Sequence, residues 1–300
     1  MNSRIRTDLA LEAEQLFRAE NAPPGLIPGL HATEKIKNGF TLSTIRVLDG
    51  QGEAAIGKPR GSYITVELGA LLRREQGAFS EACALIAGEL RELLQLPVSG
   101  SVLVAGLGNR DITPDAIGPL ALDYVMVTRH LRDRLPEHFA GFRSVCGVKS
   151  GVLGTTGIES GHMIASLCRS LRPTAVVVID ALASRSMSRL CRTVQISDTG
   201  IVPGSGVGNA RQALNRDTLG VPVIAIGVPT VVDAATLAFD IVNDAGLDID
   251  PDTLHSSGGM IVTPRDIDRN VRDMAKLIGY SLNLALHKGL TIQDVDMFLS

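Results

Sequence analysis

The chain has 300 residues, enough to bury a sizeable core in one large α/β domain or two small ones. Its 29 basic and 32 acidic side chains leave a formal charge of -3, which gives no support for binding nucleic acid or an anionic membrane. With no Trp, three Tyr and seven Phe, it lacks the aromatic stock needed to stack bases or sugars.

The opening Met-Asn-Ser-Arg-Ile-Arg-Thr-Asp has no apolar signal core, and no later run approaches a membrane span, so a cytoplasmic protein is expected. Leu9, Ala10, Ala13 and Leu16 recur at helical spacing, and residues 1–22 read as a helix that Ala22-Pro-Pro-Gly25 ends. Residues 32–71 change to short β-type runs, Thr41–Val47 and Tyr63–Leu68, set among Gly50, Gly52, Gly57 and Gly61 as hairpins would be. A helix over 79–95 follows and stops before Pro97.

From 101 to 287 strands and helices alternate. Strand 102–105 leads to helix 114–131, a strand near 143–148 to helix 157–171, and strand 174–180 is the most apolar short run. Strand 192–197 precedes a glycine-rich loop, strand 221–227 precedes helix 231–243, and a helix near 264–287 closes the chain. The expectation is an α/β fold: a mostly parallel sheet with helices on both faces, plus a β-hairpin-rich N-terminal insertion. No repeat or linker divides residues 1–300.

The stretch most informative about chemistry is Val102-Leu-Val-Ala-Gly-Leu-Gly-Asn-Arg-Asp-Ile-Thr-Pro-Asp-Ala-Ile-Gly-Pro119. Gly106 and Gly108 break the strand, and Thr113-Pro114 reads as an N-cap followed by proline at the first helical position. Asp115 then lies just beyond the carboxyl edge of the sheet, where ligands of open α/β sheets bind. Asp180 ends the apolar strand at the same edge. A carboxylate after Ala175–Ile179 is costly to bury unless it is paired or functional, and Arg185 or Arg189 would supply a purely structural pair. Two carboxylates brought together hold one proton between them, an acid beside a base. Such a pair can activate water against a peptide carbonyl.

Other signals are weaker. Asp198-Thr-Gly200 matches the triplet of pepsin-like proteases, but those are all-β, and the same residues make an ordinary turn after a strand. Pro203-Gly-Ser-Gly-Val-Gly-Asn209 fails the GxGxxG spacing, as does Gly106-x-Gly108, and Ser205 is not in a GxSxG elbow. The better use of the loop is to present backbone N–H groups to a substrate. Thr156-Gly-Ile-Glu159 is a capping box. Cys83, Cys146, Cys168 and Cys191 lack metal-type spacing and read as free thiols; no neighbouring base marks Cys146 as a nucleophile.

Taken together, the motifs resemble the germination proteases of spore-forming bacteria. The matching stretches are Arg6-Thr-Asp-Leu-Ala10, Gly106–Asn109 with Thr113–Pro119, Val127–Leu131, Gly154–Glu159, Asp180–Ala183, Gln195–Gly200, Pro203–Asn209, Leu219–Ala234 and Val262-Thr-Pro264. They run in family order; residues 20–100 and the stretch after Asp240 diverge. The resemblance implies an endopeptidase that degrades small acid-soluble spore proteins during germination, with catalytic aspartates at Asp115 and Asp180. It also implies a homotetramer made as an inactive zymogen, and a fold similar to the hydrogenase-maturation peptidases. In those relatives the acidic positions and a histidine bind a metal; here no motif places a histidine, so metal-free catalysis without a cofactor is expected. Thr7-Asp-Leu-Ala-Leu-Glu12 resembles the acidic-then-apolar site that the family cuts, which places self-processing between Asp8 and Leu9 and makes residues 1–8 a propeptide. A metal-dependent maturation-type peptidase and a non-catalytic nucleotide-binding module are the alternatives.

Overall fold

The apolar run Ala175–Ile179 forms the middle of a strand buried on both faces, and the rest of the molecule is layered on it. The computed structural model describes residues 6–21, 26–97, 99–208, 210–246 and 259–299. Among them nine strands make one mixed sheet: β1 (Leu30–Lys37), β2 (Phe40–Val47), β3 (Gly61–Glu67), β4 (Val102–Leu107), β5 (Val145–Gly151), β6 (Ala175–Ser184), β7 (Thr193–Ser197), β8 (Val223–Asp233) and β9 (Ile261–Val262). The order is β1-β2-β3-β7-β8-β6-β4-β5, with β9 added to the end of β8. Pairings β8–β6, β6–β4 and β4–β5 are parallel; the rest are antiparallel.

Alternation along β6 sorts the two faces. Val176 and Val178 pack with Leu103, Ile164 and Cys168 under the helix Ser160–Leu171. Val177 and Ile179 join Ile86, Ile117 and Leu277 from helices Ala78–Leu94, Ile117–Ala121 and Ile267–Leu286. A third cluster, with Ala10, Ala13, Ile45, Ile56 and Tyr63, seats the helix Ala10–Asn21 on the β1–β3 end. The α/β fold with helices on both faces is therefore present. The hairpins of residues 32–71 extend the same sheet, because β3 pairs with β7.

Several boundaries differ from the sequence reading. The expected helix 114–131 is a series of short turns: Thr113–Asp115, Ile117–Ala121, Leu122–Tyr124 and, after a gap, Arg129–Arg134. Pro119 has no N–H to give, and buried Asn283 takes over the backbone where the helix fails, accepting from Met126 N–H at 2.9 Å and donating to Tyr124 C=O at 2.8 Å. The Thr113 hydroxyl is not an N-cap; it donates to Asp268 Oδ1 at 2.7 Å and ties the turn to the long helix. The capping box fails too, since Thr156 bonds the backbone of Ile158 while Glu159 pairs with Arg211. Gly106 lies within β4 rather than ending it. Strand β1 and the helices Gly50–Ile56 and Ile292–Leu299 have no counterpart in the sequence reading. Residues 1–5 and 22–25 of the expected N-terminal segment lie outside the described residues. No described helix is long and apolar enough to cross a membrane.

Candidate active site

Strands β4 and β6 are parallel neighbours, so their carboxyl ends deliver Asp115 and Asp180 to one place. Asp180 does not end its strand, since pairing with β8 carries β6 on to Ser184, but it lies one residue past the last pairing with β4; Asp115 follows β4 in the tight turn Thr113–Asp115. The turn lies close on the sheet because of two glycines. A Cβ at Gly106 would stand 2.3 Å from Gly118 O, and one at Gly118 would stand 2.2 Å from Leu107 O and 2.6 Å from Ile179 O. Thr230 Oγ1 donates to Pro114 O at 2.7 Å and fixes the turn from β8.

Both aspartates line a cavity of about 270 Å³. Its other walls include Asp8, Gly151–Leu153, Glu159–Gly161, the end of β6 and the glycine loop at Pro203, Gly204 and Gly206. Asp115 is half-buried; its carboxyl is pushed up by burial, with the Asn109 N–H at 2.7 Å on Oδ2 opposing the shift. Asp180 is buried and raised well above the usual carboxylate range, by burial first and then by the charge of Asp115, with Asp8 adding to it and the Ala181 N–H at 2.9 Å opposing. The structural salt bridge does not form. Arg185 is engaged with Asp240, and Arg189 with Glu12 and Glu67.

The surprise is the chain's own N-terminal segment. Asp8 N–H donates to Ala183 O at 2.9 Å, and Ala183 N–H donates back to Asp8 Oδ2 at 2.9 Å. Ser205 Oγ donates to Asp8 Oδ1 at 2.7 Å. Gln195 spans the next peptide bond: its Nε2 donates to Asp8 O at 3.2 Å and its Oε1 accepts from Ala10 N–H at 2.8 Å. Lys58 Nζ donates to Thr7 O at 3.2 Å, and Arg6 faces Asp233 at 3.6 Å. Burial lowers the Lys58 pKa, while the charges of Asp8 and Glu12 act to raise it. Thr7 Oγ1 donates to buried Glu12 and accepts from Leu9 N–H, so the segment is also tied to the helix it precedes. Leu9 is fully buried.

Asp8 thus sits beside the aspartates, with its side chain in the cavity wall and its carbonyl turned to Gln195. The glycine loop meets the segment through the Ser205 hydroxyl; the N–H groups of Ser205 and Gly208 are spent inside the loop, while Gly204 and Gly206 line the cavity. Asp198 is exposed and accepts from Ser62 N–H at 2.7 Å, as turn chemistry requires, and takes no part in the cavity. Cys146 is at the opposite end of the sheet, its thiol pushed up by burial. Among the described residues no histidine is in the cavity wall, and no group of three or more His, Cys, Asp or Glu is placed to hold a metal.

Sequence reasoning passed over Lys58 and gave Gln195 and Ser205 no role. Gln195 did carry a signal: in Thr193-Val-Gln-Ile-Ser197 the apolar residues fall on one face only, yet the whole strand is buried. A buried polar face needs partners: Thr193 donates to Arg189 O, Ser197 to Gly200 O, and the partner of Gln195 is the N-terminal segment.

The family model for germination protease matches residues 10–245. A germination protease of Caldanaerobacter subterraneus subsp. tengcongensis is 40% identical over 98% of both chains. One from Clostridium tetani is 40% identical over 99% of both, and one from Bacillus pumilus 35% identical over 98% of this chain and 96% of its own. Among solved structures, the NiFe hydrogenase maturation protease HycI of Thermococcus kodakarensis aligns with 65% of this chain and 98% of its own, at 17% identity and a TM-score of 0.36. The family match and the full-length identities to these relatives make the chain a member of the germination protease family, and hence a peptidase.

Proposed function

We propose that this protein is an endopeptidase in which Asp115 and Asp180 activate water, and that its substrates are small acid-soluble spore proteins broken down in the spore core during germination. The observation that carries the reading is the pair itself: two carboxylates, one on β6 just past the end of its neighbour β4 and one in the turn that follows β4, in one cavity, both raised in pKa. The more strongly raised Asp180 is assigned the proton, and Asp115, with an N–H on its oxygen, the charge. Asp115 then takes a proton from water as that oxygen attacks the peptide carbonyl, and Asp180 gives its proton to the carbonyl oxygen; as the tetrahedral diol collapses, Asp115 passes its proton to the leaving amine and Asp180 takes one back from the diol hydroxyl. The pair titrates as a unit, so the roles describe the working microstate. This chemistry is proposed to run without metal.

We further propose that the chain is made as a zymogen, with residues 1–8 as propeptide, and is cut between Asp8 and Leu9. Support comes from the place of Asp8 in the cavity wall. Its carbonyl is held by Gln195 rather than by the aspartates, so cleavage requires this segment to shift. The active assembly is proposed to be a homotetramer, as the resemblance implies; light scattering checks it.

The test is incubation of the purified protein with a small acid-soluble spore protein, with the cuts located by mass spectrometry. Wild type should cut beside acidic residues and expose Leu9 as its own new N-terminus, with or without chelator. Asp115→Asn and Asp180→Asn should do neither while retaining the wild-type circular dichroism. Full activity in either variant defeats the proposal, and loss of wild-type activity to chelator transfers it to a metal-dependent peptidase.

A further inference from the structure

Residues 6–9 occupy a groove that looks made for an extended peptide. Five separate parts of the chain reach it: Lys58, Ala183 at the end of β6, Gln195 on β7, Ser205 in the glycine loop, and Asp233 at the end of β8. The grip on backbone atoms, from Lys58, Gln195 and Ala183, is indifferent to sequence. The grip on the side chain of Asp8 is not. Both oxygens of the carboxylate accept hydrogen bonds, one from Ser205 Oγ and one from Ala183 N–H. Space for it depends on Gly206, where a Cβ would lie 2.0 Å from Asp8 Oδ2 and 2.7 Å from the Ala183 Cβ. The backbone at Gly206 is not in the left-handed region, so its want of a side chain is explained by the room it leaves rather than by a turn.

We propose that Ser205 Oγ, the Ala183 amide and the gap above Gly206 form a carboxylate-reading subsite, filled in this chain by Asp8 and in turnover by an acidic residue of the incoming substrate strand, whose backbone Gln195 and Lys58 hold in register. This rests on the reading of the Asp115/Asp180 cavity as the active site, and it names the residues that select the substrate there. An Asn side chain in the same place can accept from the Ala183 N–H and donate to a rotated Ser205 hydroxyl, so it keeps both contacts but loses the charge assistance that the carboxylate gives each of them. Selection for acid over amide is therefore built into the seat. The tail and a substrate strand cannot both occupy it.

The full-length, unprocessed chain is titrated with a free peptide of its own residues 6–12, and with the same peptide carrying Asp8→Asn. Displacement of the tail is read as faster amide hydrogen exchange over residues 6–16. The acidic peptide should displace the tail at concentrations roughly tenfold below its amide counterpart, the surplus of a hydrogen bond to a carboxylate over a neutral one. Ser205→Ala should narrow that gap, and Gly206→Ala should unseat the tail without any peptide. Equal displacement by both peptides, or a gap that Ser205→Ala leaves as it was, overturns the subsite. Because this readout needs no turnover, it is separate from the catalytic reading, which fails instead if Asp115→Asn cuts a spore-protein substrate at the wild-type rate.

Discussion

Replacing Asp180 by Asn should make the protein more stable at neutral pH while it stops cleavage. The folded-state pKa of Asp180 is raised above its unfolded value, by burial and by the neighbouring charges of Asp115 and Asp8. Between the two values the native state binds the proton and the unfolded state does not, so stability falls as pH rises through that window. The full contribution is present only below the unfolded value, about 3.9, and is lost as the pH passes the folded one. Asn is nearly isosteric, carries no charge to desolvate, and keeps an oxygen for the Ala181 N–H. The variant should therefore match wild type near pH 4 and exceed it at pH 7 to 8. Relief of a strained active-site group typically gives about 0.5–2 kcal/mol, and at roughly 2–4 °C per kcal/mol for a large domain the gain in Tm is several degrees at most. Thermal unfolding followed by circular dichroism at fixed protein concentration across this pH range measures it, with spore-protein cleavage assayed in parallel. The competing account, a carboxylate held in a structural ion pair, demands the opposite sign. A variant less stable than wild type at pH 7 to 8 would refute the reasoning.

Gly118→Ala should misplace the turn that carries Asp115, because the new Cβ meets the backbone of Leu107 and Ile179 rather than a flexible side chain; we expect a loss of about 1–3 kcal/mol from overpacking, by urea unfolding, and cleavage reduced on the order of a hundredfold by displacement of about 1 Å. Asp198→Asn should leave spore-protein cleavage near wild type and cost at most about 1 kcal/mol through its bond to Ser62 N–H, so a dead variant would move the active site to that triplet. Cys83 and Cys191, both pushed up to about 12 by burial, should resist a thiol reagent at pH 8 in the folded protein, leaving half-exposed Cys146 to react first, as peptide mapping will show.

What could be read from the sequence was whatever depends on neighbours in the chain. The apolar run before Asp180 needs a buried central strand, and Gly106 with Thr113-Pro-Asp115 needs a tight turn at its carboxyl edge; two such ends on parallel neighbours meet whatever else the fold does. What could not be read depends on distant partners. The helix expected over 114–131 was a fair inference from local propensity, but Asn283, more than 150 positions later, satisfies the backbone where the helix breaks. Strand β1 is exposed over nearly its whole length, its alternation of Leu30, Ala32 and Ile36 is broken by Glu34, and it is held by its ladder to β2. Thr156 and Glu159 fit the capping pattern, yet Arg211 claims the glutamate from another loop.

The two halves of the sheet also divide the work of the site, and β8 is where they meet. On one side Asp180 pairs in register with Gly227; on the other Gln195 pairs with the same Gly227. The carboxylate and the amide that holds the Asp8 carbonyl thus sit two strand spacings apart along one line of the sheet, about 10 Å between backbones. Gly227 leaves the ground between them to the Leu182 side chain, which a Cβ there would meet at 2.3 Å. The parallel half contributes the two aspartates, as the carboxyl edge of any α/β sheet would. The antiparallel half contributes Gln195 and, through the loop before β3, Lys58, both of which hold backbone atoms of residues 7–10. The segment at residues 8–10 satisfies Gln195 on the polar face of β7 and brings the Asp8 side chain into the aspartate cavity in the same act, while Thr193 and Ser197 on that face donate to Arg189 O and Gly200 O.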